Sequence, residues 1–127
     1  MLSPTVLASD ASAYGRAYWN YIRCNEDAAR TLLRIEIDQR ESGFILRARP
    51  DEALAIEAMT MCKSKEGELA PLIPGGVPSE FLVKMQQFNA GTIKAERLFL
   101  KQGLVCAGAE WAGCSMKAIP NWKGVSP

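Results

Sequence analysis

Apolar residues recur at helical spacing in two long stretches of the chain. From Tyr14 onward, Tyr14, Ala17, Tyr18, Tyr21, Ala28, Leu32 and Ile35 share one face when projected at 100° per residue. Arg16, Arg23, Asp27, Arg30 and Arg34 lie opposite, Cys24 sits at the edge of the apolar face and Asn25 near its middle. Ser9 and Ser12 are both suitable N-caps, and Ser42-Gly43 is a C-terminal signal. The pattern therefore predicts a helix running to about Arg40, preceded by an extended tail over residues 1–9.

Phe44, Ile45 and Leu46 are consecutive and apolar, which fits either a short strand near 44–47 or a buried connection. Pro50 suits the first turn of a second helix, with Asp51 and Glu52 favouring its positive end. That helix carries Ala53, Leu54, Ile56, Ala58, Met59, Met61 and Cys62 almost all the way round, as a short helix buried among others does. Lys63, Lys65 and Gly67 mark its end. The stretch 68–78, with LAPLIPGGVP at its centre, is rich in proline and glycine and reads as a loop.

A third helix is expected from Ser79. Phe81, Met85, Phe88, Thr92, Ala95, Phe99 and Gln102 follow a 4-3-4-3-4-3 spacing, a heptad seam that fits either core packing or a dimer interface. Leu82, Ile93 and Leu100 widen the seam on one side, and Gly91 within it would let another helix approach closely. Leu104 to Ile119 is rich in small residues and fits a fourth, closely packed helix, followed by an extended tail over 120–127. The expected fold is all-α: a single domain, 1–127, forming a small irregular bundle of about four helices, two of them long and amphipathic.

Composition narrows the function. The chain has 127 residues, 48% hydrophobic and 23% charged, enough to bury a core without metals or staples. Its net charge of +1 gives no general attraction to nucleic acid or an anionic membrane, and no apolar run approaches the roughly 18 residues a membrane span needs. It contains no histidine. That removes the commonest acid–base group, the Cys–His and Ser–His nucleophile pairs and most catalytic zinc sites.

The four cysteines are Cys24, Cys62, Cys106 and Cys114. No two are two to four residues apart, so neither a zinc site nor a redox CxxC pair is expected. Disulfides and buried free thiols remain. On one helix Cys106 and Cys114 would stand about 12 Å apart along the axis, too far to bond each other, and would reach to Cys24 and Cys62 instead. As a loop, CAGAEWAGC would let them pair with each other. The start MLSPTVLASDASA lacks a basic region and Asp10 interrupts it, so it does not read as an intact signal peptide. The even cysteine count nevertheless tilts the expected location toward an exported or periplasmic one over the cytoplasm.

Catalytic candidates are thin. Glu110 beside Trp111 has the makings of a carboxyl group with a raised pKa, but no second carboxylate can be nominated, so no catalytic residue is assigned. No phosphate-binding glycine motif, metal-ligand cluster or nucleophile elbow is visible, and no cofactor is expected. Two features suit binding. Arg16, Arg23 and Arg30 recur every seven residues with Arg34 one turn further, a stripe that fits either an anion-binding face or, with Asp27 within it, a solvated helix face. Trp19 projects to the side of the apolar face, while Trp122 lies in the tail. The sequence reads best as a binding protein acting on another protein. A self-associating subunit with reduced cysteines is second, and a histidine-free enzyme third.

Overall fold

The computed structural model of the chain describes residues 4–43, 47–106 and 116–118. They form an all-helical bundle of four helices, α1 (Pro4–Glu41), α2 (Asp51–Met61), α3 (Lys63–Leu69) and α4 (Ser79–Lys101). A 3-10 turn (Ala70–Leu72) follows α3, and a three-residue antiparallel ladder pairs β1 (Leu104–Cys106) with β2 (Met116–Ala118). At 1.5 Å per residue α1 is about 57 Å long and α4 about 35 Å, so these two set the frame.

The long first helix begins earlier than its serines suggest. Residues 4–9 are helical rather than an extended tail, with Pro4 at the first position, where its fixed φ is already helical and its missing N–H costs nothing. Its end is where the sequence places it. The Ser42 hydroxyl donates to the Asp38 carbonyl at 2.9 Å, and Gly43 turns into the left-handed region at φ 82°.

The predicted second helix is two helices. Cys62, at φ −101° and ψ 17°, leaves helical geometry and separates α2 from α3. In the 68–78 stretch, Glu68 and Leu69 complete α3, and the turn follows through Gly75 and Gly76, both at positive φ. The expected fourth helix over 104–119 is not formed at either end. Gly103 (φ 74°) ends α4, and Leu104-Val105-Cys106 instead pairs in register with Ala118, Lys117 and Met116. Val105 is β-branched, and a left-handed glycine directly before it stops a helix from continuing. Residues 44–46, read as either a short strand or a buried connection, lie outside the described residues, as do 1–3, 107–115 and 119–127; Arg47 forms a bend.

The core gathers Tyr21, Ala28, Ala29, Leu32 and Leu33 of α1, Leu54, Ala55 and Ala58 of α2, Leu69 of α3, and Met85, Ile93 and Leu100 of α4. Ile56 and Met61 are about half exposed, so α2 is not buried all round. Of the heptad positions of α4 only Met85 is buried, and the inward stripe runs along the widened side of the seam through Ile93 and Leu100. Met85, Asn89, Ile93, Glu96 and Leu100 face inward, while Phe88 is 44% exposed and Ala95 and Gln102 face solvent. A side chain added at Gly91 would meet nothing within 4 Å, so that glycine does not serve a close helix approach.

Two polar networks cross this core. Asn89 Nδ2 donates to Asn25 Oδ1 at 2.9 Å, and Asn25 Nδ2 donates to the Tyr21 carbonyl at 2.9 Å. Further along the bundle, Arg97 of α4 donates to Glu36 of α1 at 2.7 Å, to Asp51 of α2 at 2.8 Å and to the Arg49 carbonyl at 2.9 Å. Burial alone would lower the Arg97 pKa, but the hydrogen bonds and charges of Glu36 and Asp51 outweigh it and hold the guanidinium above its ordinary value. A covalent tie completes the frame: Cys24 and Cys62 form a disulfide with Cα atoms 5.9 Å apart.

Candidate docking face on α1

Along the outer side of α1 runs an open groove of about 670 Å³ lined by Ser12, Gly15, Arg16, Trp19, Asn20 and Arg23. Helical spacing explains the set, because positions 12, 15, 16, 19, 20 and 23 share one face. The buried Ala17, Tyr21, Asn25 and Ala28 occupy the opposite one. Among the described residues the groove therefore lies on the side of α1 turned away from the core.

The face is tied to the core at two points. Tyr18 packs edge-on against Trp19 at 5.7 Å and also contacts Phe81 of α4 at 6.0 Å, with Tyr14 stacked on its other side at 6.2 Å. Tyr21 meets the same Phe81 ring at 5.8 Å. At the other end, Arg23 immediately precedes Cys24 and its bridge to Cys62. Trp19, 42% exposed, thus stands on a rigid aromatic base.

The arginine series divides. Arg16 and Arg23 are exposed, and neither makes an ion pair with a described residue. Arg30 is held between Glu26 at 2.7 Å and Glu96 of α4 at 3.0 Å, with its side chain only 14% exposed. It holds α1 against α4. Arg34 lies exposed three turns beyond Arg23. Sequence spacing alone could not separate these roles, because the acid that claims Arg30, Glu96, comes from a helix 66 residues away.

No family model, curated protein or solved structure matches the chain.

Among the described residues no group of three or more acidic or cysteine side chains is placed to hold a metal ion, and no helix is long and apolar enough to cross a membrane. Of the remaining sequence candidates, Glu110, Trp111, Cys114 and Trp122 lie outside the described residues, and Cys106 ends β1. The disulfide joins two of the four cysteines, Cys24 and Cys62, across α1 and the α2–α3 junction. That pairing is open in the sequence, since it joins residues of separate helices whose packing no local pattern sets.

Proposed function

We propose that this chain is a protein-binding protein, of inhibitor, immunity or adaptor type, which docks on its partner through the outer face of α1. One observation carries the reading: a half-exposed tryptophan, Trp19, sits in a groove between two arginines that no described acid neutralises. Tryptophan and arginine are enriched among the side chains that dominate protein interfaces. The packing of Trp19 on Tyr18, itself against Phe81, favours docking, because that ring has less side-chain freedom left to lose on binding. The same disulfide supports an exported, oxidising location.

The test compares native extracts of cells producing the wild type, Trp19→Ala, an Arg16→Glu/Arg23→Glu double variant, and Lys94→Glu as a control on the exposed side of α4. On size exclusion the wild type and the control are expected to elute in a complex larger than the free chain, and the two groove variants as the free chain. Elution of all four at the free-chain position, or all four together in one complex, contradicts docking through this face.

A further inference from the structure

Between Asp10 and Glu26, α1 carries no acidic residue and two arginines, Arg16 and Arg23. Seven residues separate them, which is two turns, or about 10 Å along the axis, on the same face. Trp19 lies between them, three residues after one and four before the other. Asp27, exposed one turn past Arg23, closes the positive stretch. Arg30, Arg49 and Arg97, by contrast, are each matched to an acid of the bundle.

We infer that the groove takes an acidic helical segment of a partner protein, one carrying two carboxylates seven residues apart with a large apolar side chain between them. This rests on the docking reading above and specifies its partner. A helix laid alongside α1 repeats the same two-turn spacing, so one carboxylate meets each guanidinium while the central apolar residue covers the Trp19 ring. Guanidinium forks match carboxylates with paired hydrogen bonds, which makes arginine better suited than lysine to this role. The Asn20 amide, exposed beside Trp19, can donate to or accept from the partner at the rim. Nucleic acid is disfavoured, because two cations so far apart neutralise too few phosphates in a chain of net charge +1.

The experiment is a selection of the whole oxidised protein against a displayed library of helical 18-residue peptides randomised along one face. Enriched clones are expected to carry Asp or Glu at i and i+7 with Leu, Ile, Met or Phe at i+3 or i+4. Their affinity should fall by about tenfold or more for the Arg16→Glu/Arg23→Glu protein, and their affinity for the wild type should fall as salt is raised. Far-UV circular dichroism and an intact Cys24–Cys62 bridge verify that the variant is folded. Neutral or basic clones that lose binding with Trp19→Ala would overturn the acidic partner and keep the docking face. No enrichment, or clones indifferent to both Trp19→Ala and the arginine variant, would overturn both. Binding of millimolar inorganic phosphate to the wild type but not to the Arg16→Glu/Arg23→Glu protein, with no peptide enrichment, would assign the arginines to a small anion and likewise overturn both.

Discussion

Asn89 of α4 donates to Asn25 of α1 at 2.9 Å, and both side chains are fully buried. A bare amide in an apolar core is costly, so this pair fixes the register of the two longest helices: a slip by one residue breaks the Asn89–Asn25 bond and leaves the buried Asn25 Oδ1 without its donor. Asn89→Leu leaves Asn25 Oδ1 buried without its donor and is expected to cost about 1–3 kcal/mol. Combining it with Asn25→Leu is expected to cost less than the sum of the two single changes, by about 0.5 kcal/mol or more. Urea unfolding of the four proteins measures the cycle; strict additivity would show that the pair is not coupled.

Arg97 is the corresponding tie at the other end of the bundle. Its partner Glu36 is only 2% exposed, so truncating the arginine leaves a carboxylate in the interior with one backbone donor, the Arg49 N–H, at 2.6 Å. Arg97→Ala is expected to destabilise by about 3 kcal/mol, and Glu36→Gln in the same chain to recover part of that. Equal stabilities of the single and double variants in chemical denaturation would contradict a buried charge as the cause.

These two networks also show where the sequence misleads. Helical periodicity locates α1 and α4 and their C-terminal ends, because capping and amphipathic spacing are local properties. It locates the buried stripe of α4 only in part, through Met85, Ile93 and Leu100. The apolar seam through Phe88, Thr92, Ala95 and Phe99 is regular, yet the inward positions are Asn89, Ile93 and Glu96. Two of these three are polar and become tolerable only through Asn25 and Arg30, which approach from another helix. A reading that equates burial with apolar character passes over them. The break at Cys62 is hidden likewise, since no glycine or proline marks it. On the candidate face, Arg16, Trp19 and Arg23 were visible as exposed helix positions, and what needed the fold was the separation of Arg30 from them.

The disulfide joins residues 38 apart in sequence. Closing a loop of that size in the unfolded chain removes entropy worth about 4 kcal/mol in the chain-entropy treatment. Cys24→Ser/Cys62→Ser is expected to lower unfolding stability by about 2–4 kcal/mol, and peptide mapping without reduction to find the two cysteines in one linked fragment. Alkylation of either cysteine in the folded, unreduced protein would contradict the pairing.

Tyr21 gives the bundle an alkaline limit. Burial raises its pKa above the usual value of 10.0, Glu66 adds to the rise, and Asn25 opposes it from outside good hydrogen-bond geometry to the hydroxyl. The neutral phenol is thus favoured in the folded state, so its contribution is complete below about pH 10 and is lost as pH climbs through the folded-state value. Tyr21→Phe removes a buried hydroxyl that has no hydrogen-bond partner among the described residues, and is expected to leave stability at pH 7 unchanged or slightly higher. It should also flatten the decline above pH 10. Identical melting-temperature profiles between pH 8 and 11.5 would contradict this role.

The most direct measurement on the docking face is site-specific photo-crosslinking in the cells that produce the protein. A photoreactive residue replaces Asn20, inside the groove, or Lys94, on the exposed side of α4. The expected result is one adduct of defined mass with a different protein from position 20, lost on Arg16→Glu/Arg23→Glu and absent from position 94. An adduct with a second copy of the same chain, or equal labelling from the two positions, would contradict partner docking through α1.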